Sequence, residues 1–238
     1  SEIALHRDPT HHLFAGLLVE DADGWPATRQ ATGVADDVHY LIFPQGNGRI
    51  RLYLGYGLEQ RARLNGAGAA ANFLSAFQIP TLPAAEAIAN ARPAGPCHAY
   101  GNEDTWTDSP LADGIVLIGD AAGHNDPIIG QGLSITFRDV RLVRDLLLAS
   151  SDWSPAALAP YADERRERMR RLRFVAALGS NLENEFGPAA EARRIRARAL
   201  QAEDPTLLLW FMAAFVGPDA LPASTFDPTV RDRLLAAV

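Results

Sequence analysis

The residues best suited to chemistry lie within residues 114–139, which read GIVLIGDAAGHNDPIIGQGLSITFRD. Residues 115–118 form an unbroken aliphatic run, which predicts a strand buried on both faces, as in a parallel sheet. The run stops at Gly119 and Asp120. A carboxylate at the end of a buried strand can accept hydrogen bonds from the hydroxyl groups of a sugar-like ligand. Alternatively, Asp120 only caps a local turn, and the sequence leaves both interpretations open.

A loop that contains Pro127, Gly130 and Gly132 comes next. Beyond it, apolar residues recur three or four positions apart through residues 133–147, which predicts a helix. The start of a helix exposes unpaired N–H groups and the positive end of the helix dipole, so it can hold an anion or a developing negative charge. Glycine at both loop positions would let a flat ligand approach the backbone closely.

This segment resembles the second flavin-binding motif of the FAD-dependent aromatic hydroxylases, the p-hydroxybenzoate hydroxylase-like superfamily. The motif consists of Gly-Asp, a spacer, Pro, two residues and Gly-Gln-Gly, with a further Asp downstream. The positions of this sequence that match it are Gly119, Asp120, Ala121, Ala122, Pro127, Gly130, Gln131, Gly132 and Asp139.

The resemblance implies a role for each matching residue. Asp120 would bind the ribitol hydroxyls of FAD, and Pro127 would lie beside the isoalloxazine ring. The backbone at Gly132 and Leu133 would face the pyrimidine edge of the flavin, where charge collects on reduction. The full predicted cofactor site is Gly119, Asp120, Pro127, Gly130, Gln131, Gly132, Leu133 and Ser134. Asp126 and Tyr53 are predicted to line the substrate pocket, and no catalytic side chain or metal ligand is assigned.

Two positions depart from the hydroxylase pattern. Gly123 stands where His is common, and Ser134 stands where Asn is common. Gly123, with Asp126 before the proline, is also similar to the geranylgeranyl reductase and flavin-dependent halogenase branches. Gly-Gln-Gly favours the hydroxylases over the reductases, which usually carry Gly-Glu-Gly, and the sequence has no Trp-x-Trp-x-Ile-Pro segment of the halogenase kind. The resemblance therefore implies a monooxygenase that uses FAD, NAD(P)H and oxygen on a small organic substrate, with a reductase or halogenase as alternatives.

Composition limits the setting of the protein. The 238 residues carry a net charge of −7, which argues against a general nucleic-acid surface. All 22 basic residues are Arg, which excludes lysine chemistry such as a Schiff base within this chain. Cys97 is the single cysteine, so no internal disulfide forms. Residues 1–7 lack the pattern of a signal peptide, and the longest apolar run, 207–216, has about half of the roughly 20 residues that a membrane span needs. We expect a cytoplasmic protein without a membrane span.

The first hundred residues predict an antiparallel sheet. Residues 13–20, 38–43 and 49–56 read as strands, and 98–104 as an edge strand. In the third strand Arg51 and Tyr53 alternate with apolar residues, the period of a half-buried strand. These two side chains could line a pocket, although such a row is more often a solvated face. His11, His12 and His39 show no metal-ligand spacing.

Helices are predicted around and after this sheet. Residues 66–71 imitate the dinucleotide fingerprint, but the charged segment before them is not a strand, so they predict an ordinary helix over 69–77. A short helix is predicted over 84–91. Helices at 154 onward, 161–182 and 189–201 follow, and Pro205 starts an apolar helix over 207–216, predicted as core, with a substrate-pocket wall or dimer face as alternatives. Six arginines within 161–182 predict a solvated or interdomain salt-bridged face.

The predicted fold class is α+β. It comprises a substrate-binding sheet domain (1–105), the last strand and helix of an FAD-binding Rossmann-like domain (106–150) and a C-terminal helical region (151–238). The first βαβ unit of such enzymes, with its Gly-x-Gly-x-x-Gly, has no counterpart here. We therefore expect the C-terminal part of a larger enzyme, whose N-terminal FAD-binding half lies on the same or a companion chain; an oligomer is possible. A non-catalytic ligand- or partner-binding remnant is the alternative from another functional class.

Overall fold

A computed structural model describes residues 3–236. The chain divides into two compact units: one comprises Thr10–Asn102 and Glu183–Glu191, and the other comprises residues 3–9, Glu103–Leu182 and 192–236. We refer to them as the sheet unit and the helical unit. Residues 1 and 2, with which the segment assessed for a signal peptide begins, lie outside the described residues. The predicted domain boundaries at 105 and 150 stay predictions.

The described chain is a mixture of antiparallel strands and helices, so the predicted α+β class is confirmed. Its strands are β1 (His6–Arg7), β2 (His12–Glu20), β3 (Ala31–Ala35), β4 (Val38–Gly46), β5 (Arg49–Tyr56), β6 (Arg92–Pro93), β7 (His98–Asn102), β8 (Thr105–Trp106), β9 (Leu111–Ala112) and β10 (Ile115–Val116). Its α-helices are α1 (Ala69–Ser75), α2 (Ala85–Ala89), α3 (Gly132–Ala149), α4 (Ala159–Glu183), α5 (Pro188–Glu203), α6 (Leu209–Val216) and α7 (Pro228–Leu235).

The sheet unit is built on one six-stranded antiparallel sheet. The strand order is β3-β4-β5-β2, and both β6 and β7 pair with the far edge of β2. The three predicted strands, 13–20, 38–43 and 49–56, are present as β2, β4 and β5, and β7 takes the predicted edge position. β3 was not predicted, because its sequence, ATGVA, has neither alternation nor large apolar residues. It is a strand because it pairs along its whole length with β4.

Paired residues of neighbouring strands point to the same side of the sheet, so each face carries its own set of side chains. One face buries apolar side chains of β2, β4 and β5, among them Leu17, Ile42 and Leu52, against helices α1 and α2. The segment resembling a dinucleotide fingerprint is the start of α1, which supplies Phe73 and Phe77 to this core. The opposite face carries Phe14, Tyr53 and Tyr100, and is described below with the candidate site.

The helical unit corrects one prediction about the central strand. β10 is only two residues long and pairs antiparallel with β9, and the Ile115 side chain is 53% exposed. The predicted strand, buried on both faces of a parallel sheet, is therefore absent from the described residues. Parallel pairing requires a crossover connection of a dozen or more residues, whereas β9 and β10 are joined by a tight turn at Gly114, where φ is +71°. The tight turn permits only an antiparallel pairing between β9 and β10.

The C-terminal helices pack around α4, which runs over 25 residues and supplies Val175, Leu178 and Leu182 to a core shared with Trp210 and Phe226. The helix predicted from residue 154 begins as α4 at Ala159. Among the described residues, no helix combines the length and the apolar character needed to cross a membrane.

Gly123 shows why glycine replaces the more common His of the motif. Its φ is +107°, and a Cβ atom there would lie 2.4 Å from the Thr105 carbonyl oxygen and 2.5 Å from the Trp106 Cα. Both contacts are to the backbone of β8, which cannot rotate away. A side chain of any size is therefore excluded by the packing of this loop against β8.

We predict that Gly123→Ala lowers the free energy of unfolding by at least about 2 kcal/mol, because positive-φ strain and backbone overlap add. Gly114→Ala is the matched control: its φ is +71°, but nothing lies within 4 Å of the position that the added methyl group would take. Urea and thermal unfolding of both variants measure the difference. Equal stability of the two variants would contradict the packing explanation.

Candidate functional site

The Gly-Asp motif forms a tight turn two residues after the end of β10. Residues Gly119–Ala122 are a 3-10 helix that ends at Gly123. The Asp120 side chain is exposed and has no hydrogen-bond or ion-pair partner within residues 3–236. It does not cap the turn, because the residue before the 3-10 helix is Ile118 and no side-chain cap is made. The carboxylate is therefore free to accept hydrogen bonds from a ligand.

Gly119 is held in an unusual backbone conformation by its neighbours. Its φ is +54°, and a Cβ atom there would lie 2.6 Å from the Thr136 hydroxyl oxygen on α3. Its N–H donates to Asp139 Oδ2 at 2.9 Å, also on α3. The first residue of the motif thus packs directly on the helix that follows the motif.

The Pro127 segment is a second short turn. Pro127–Ile129 form a 3-10 helix, and Asp126 caps it by accepting a hydrogen bond from the Ile128 N–H at 2.9 Å. Asp126 is buried, and its own N–H donates to Asp104 Oδ1 at 2.6 Å. Its assignment to the substrate pocket stays a prediction. Gly130 ends the turn with φ +63°.

Helix α3 begins where the sequence predicted, at Gly132. Its N-cap residue, Gln131, makes no side-chain cap, so the N–H groups of the first turn receive no side-chain acceptor from it. Gly132, Leu133 and Ser134 are all exposed, and a Cβ atom added at Gly132 would meet nothing within 4 Å. An uncapped and accessible helix start is a site for negative charge.

The Gln131 side chain links the motif to the apolar C-terminal helix. Its Nε2 donates to the Ala214 carbonyl oxygen of α6 at 2.7 Å and to the Ile129 carbonyl oxygen at 3.3 Å. An ionised glutamate has no N–H or O–H to donate to these carbonyls. This contact gives a physical reason for Gly-Gln-Gly rather than Gly-Glu-Gly in this chain.

Helix α6 buries one side and exposes the other. Trp210 and Ala213 are buried in the C-terminal core. One stripe of large apolar side chains on this helix and the residue before it remains exposed, and we call it the α6 stripe: Leu208, Phe211, Met212, Phe215 and Val216. The prediction that this helix is core is correct for one face only. Its exposed face agrees with the alternatives, a pocket wall or an interface.

Tyr53 lies on the sheet unit, on the face opposite its helices. Its ring stacks on Phe14 with centroids 5.4 Å apart, and Phe43 and Tyr100 flank this pair. Gly16 makes room for the stack, since a Cβ there would lie 3.1 Å from the Tyr53 ring. Tyr53 is therefore part of an aromatic surface rather than a solvated row, and its role as a pocket residue stays a prediction.

A buried histidine lies beside this aromatic surface on β2. Burial, reinforced by the neighbouring His11 and His39, lowers the pKa of His12 to about 3. The ring is thus neutral at physiological pH. Its Nε2 is 3.2 Å from the Asn102 amide nitrogen, which donates to it, and its Nδ1 is 2.8 Å from His11 Nδ1.

The arginine-rich segment of α4 is solvated in part and salt-bridged in part, as its two predicted alternatives describe. Arg166 and Arg170 are exposed, as expected of a solvated face, but Arg165 and Arg168 are buried. Both of these bind the fully buried carboxylate of Asp139. Sequence alone missed this cluster because an arginine among arginines carries no signal of burial. The only signal of this cluster in the sequence was that Asp139, the carboxylate bound by both arginines, belongs to the motif.

The motif residues can accommodate FAD on three structural grounds. The Asp120 carboxylate is exposed without a partner among the described residues, the start of α3 is uncapped, and added Cβ atoms at Gly130 and Gly132 would meet nothing within 4 Å. All eight predicted cofactor residues lie in the helical unit, within one loop and the first turn of α3.

Solved structures of flavin enzymes share this fold. The flavin-dependent brominase Bmp2 superposes with a TM-score of 0.67 at 15% identity, over 96% of this chain and 56% of that chain. HpxO of Klebsiella pneumoniae, solved with FAD and uric acid, superposes with a TM-score of 0.61 at 16% identity, over 98% of this chain and 55% of that chain. At such identities these similarities establish the fold alone.

Sequence comparisons are more specific. The chain is 30% identical to the ubiquinone hydroxylase UbiL of Rhodospirillum rubrum over 138 residues, which cover 54% of this chain and 32% of that relative. The chain thus matches about a third of the relative's length. The resemblance to the C-terminal part of an FAD-dependent monooxygenase is confirmed by these matches. The sequence profile described as squalene epoxidase matches residues 3–169, well over half of the chain. The chain therefore belongs to the squalene epoxidase family.

Proposed function

We propose that this chain is the C-terminal part of an FAD-dependent monooxygenase that inserts one oxygen atom of O₂ into an apolar organic substrate. The observation that carries the proposal is the geometry of the motif. An exposed carboxylate, Asp120, and the uncapped start of α3 belong to one hydrogen-bonded unit in a chain of the squalene epoxidase family. FAD, when bound, would supply the electron transfer and oxygen activation that no side chain can perform.

The residues of this chain would act by binding and by electrostatics. Asp120 would accept hydrogen bonds from ribitol hydroxyls and fix the position of the cofactor. The N–H groups of Leu133 and Ser134, with the dipole of the 18-residue helix α3, would stabilise negative charge at the pyrimidine edge. Pro127 would bound the space beside the ring. NAD(P)H is proposed as the electron donor by analogy with the resembled enzymes.

The α6 stripe supports an apolar substrate. Gln131 ties α6 to the flavin motif, so the exposed Phe211 and Phe215 belong to the same compact unit as the proposed cofactor site. Exposed large apolar side chains are costly to leave in water and favour an apolar ligand or partner. Squalene and ubiquinone, which appear in the names of the matching family and relative, are apolar isoprenoids. We propose an isoprenoid-containing substrate on this basis.

Helix α3 supports the proposed FAD-binding half as a partner. Leu133, Phe137 and Val140 follow one another at helical spacing, and Leu133 is 73% exposed. These side chains form an apolar surface on α3, and Ile115 of β10 is also exposed. A dinucleotide-binding half, on the same or a companion chain, would cover this surface and add parallel strands beside β10.

A halogenase is the second candidate. Several structural neighbours are flavin-dependent halogenases, among them CmlS, with a TM-score of 0.64 at 16% identity. The family match favours the monooxygenase, and the sequence has no Trp-x-Trp-x-Ile-Pro segment of the halogenase kind. A reductase is less favoured because its usual glutamate could not make the Gln131 contact.

We predict that Asp120→Ala weakens FAD binding of the complete gene product by about ten- to hundredfold, the effect of losing a charged hydrogen-bond acceptor. Because Asp120 has no partner within the described residues, its removal should leave the unfolding temperature unchanged. Fluorescence titration with FAD and thermal unfolding measure the two effects. Asp113→Ala, an exposed carboxylate outside the motif, is the control. Unchanged FAD affinity in Asp120→Ala would contradict the assignment.

We predict that the complete enzyme, supplied with NAD(P)H and an isoprenoid quinone precursor or squalene under ¹⁸O₂, incorporates one labelled oxygen atom per product. Mass spectrometry of the product measures this. Product formation that requires halide, or substrate reduction without oxygen, would instead support the halogenase or the reductase.

We predict that Gln131→Glu destabilises the contact between the motif and α6 by about 1–3 kcal/mol, because a carboxylate would face two carbonyl oxygens. Proteolysis within residues 205–217 should become faster. Gln131→Met, which removes the donor without adding charge, is the control and should have the smaller effect. Equal protease resistance of the three proteins would show that the contact is dispensable.

A further inference from the structure

A cluster of buried charged side chains binds the backbone of the Gly-Asp loop. Because these side chains are buried, the proposed cofactor cannot contact them. Asp139 of α3 is fully buried, and both of its oxygens are used. Oδ2 accepts from the Gly119 N–H and from Arg165 Nε, both at 2.9 Å. Oδ1 accepts from Arg168 Nη2 at 2.5 Å. The carboxylate thus joins the motif to both α3 and α4.

Arg165 extends this contact along the loop. Its Nη1 donates to the Ala122 carbonyl oxygen at 3.1 Å, and its Nη2 donates to the Gly119 carbonyl oxygen at 3.0 Å. The Gly123 carbonyl oxygen lies 3.5 Å from the same Nη2. Three carbonyls, on both sides of Asp120, therefore face one guanidinium group. The Arg165 side chain is only 3% exposed, so it cannot reach a ligand itself.

Gly119 is fixed at both of its backbone polar groups by this cluster. Its N–H is bound by Asp139 and its C=O by Arg165. These bonds hold the left-handed φ of +54° that directs the chain into Asp120. Without these bonds the loop backbone would make only the local hydrogen bonds of its own turn, because β10 ends at Val116 and pairs no further.

The charges of the cluster are balanced. Arg168 also binds Glu164 on its own helix, with Nε to Oε1 at 3.1 Å, and Arg138 of α3 pairs with both Glu164 and Asp219. Burial raises the pKa of Tyr161, with the nearby Asp139 acting in the same direction, so its hydroxyl stays protonated and donates to the Leu117 carbonyl oxygen at 2.7 Å. The carbonyl oxygens of Leu117, Gly119, Ala122 and Gly123, on both sides of Asp120, are thus bound by side chains of α4.

We infer that Arg165 is a positioning residue for the cofactor site: through Asp139 and the loop carbonyls it sets the place of the Asp120 carboxylate. The expected effect of Arg165 on FAD binding rests on the proposed function. Its effect on the geometry of the loop concerns this chain alone. Arginine is required because its planar fork spans several acceptors, whereas the lysine ammonium is a point donor that can pair with Asp139 but cannot span the loop carbonyls.

The test compares Arg165→Lys with Arg170→Lys, an exposed arginine of the same helix whose hydrogen bonds go to Glu167. In the chain without FAD, hydrogen exchange of the amides of Gly119–Ala122 and Gly123 should be at least about tenfold faster in Arg165→Lys and unchanged in Arg170→Lys. Unchanged exchange in Arg165→Lys, in a folded protein, would overturn the inference. Should Arg165→Lys fail to fold, the same exchange measurement is made on Asp139→Asn, which keeps the shape of the side chain and loses its charge. Unchanged exchange in that variant would overturn the inference.

The consequence for FAD is tested by a double-mutant cycle in the complete gene product. Arg165→Lys alone should weaken FAD binding by about tenfold. Combined with Asp120→Ala, it should add little, because Arg165 acts through the position of Asp120. Fully additive effects would overturn the positioning role and indicate general destabilisation. Absence of FAD binding in the wild-type protein would contradict the proposed function instead, while the exchange measurement would still decide the role of Arg165.

Discussion

The candidate site depends on one buried carboxylate. Asp139 has no exposed surface and receives three donors, from Arg165, Arg168 and the Gly119 backbone. An ionised carboxylate in such a place is tolerated only when its charge and its lone pairs are matched, and removing one partner of a buried pair typically costs about 3–5 kcal/mol. The pairing therefore constrains α3, α4 and the Gly-Asp loop to one arrangement.

This constraint separates the residues that hold the site from those that would meet a ligand. The residues that support the loop are buried and paired, whereas Asp120, Gly132 and Leu133 are exposed, and the Asp120 carboxylate has no hydrogen-bond or ion-pair partner within residues 3–236. A preorganised binding site requires fixed supporting residues and accessible binding residues, because no reorganisation is then needed when the ligand binds. The glycines serve the same division: Gly119 and Gly123 pack against neighbours, while Gly130 and Gly132 face open space.

The exposed apolar surfaces of the helical unit fit a chain that covers about half of its structural neighbours. The apolar surface of α3, formed by Leu133, Phe137 and Val140, and the α6 stripe each expose several large apolar side chains. Phe137 and Phe215 are each 69% exposed. Single exposed apolar residues are common in proteins, but rows of them at helical spacing indicate surfaces that are covered in the working molecule. The two stripes have different proposed occupants, a dinucleotide-binding half and an apolar substrate.

The sequence by itself determined the fold class, the main strands and the start of α3, because alternation, helical spacing and glycine placement are local properties. It also determined the superfamily of FAD-dependent monooxygenases, since the flavin motif is a linear pattern. Tertiary structure decided the rest. Pairing with β4 made a strand of the featureless residues Ala31–Ala35, and the tight turn at Gly114 made β10 a short antiparallel strand. Burial of Arg165 and Arg168 could not be predicted, because an arginine's environment depends on whether a distant carboxylate, here Asp139, lies within reach once the chain has folded.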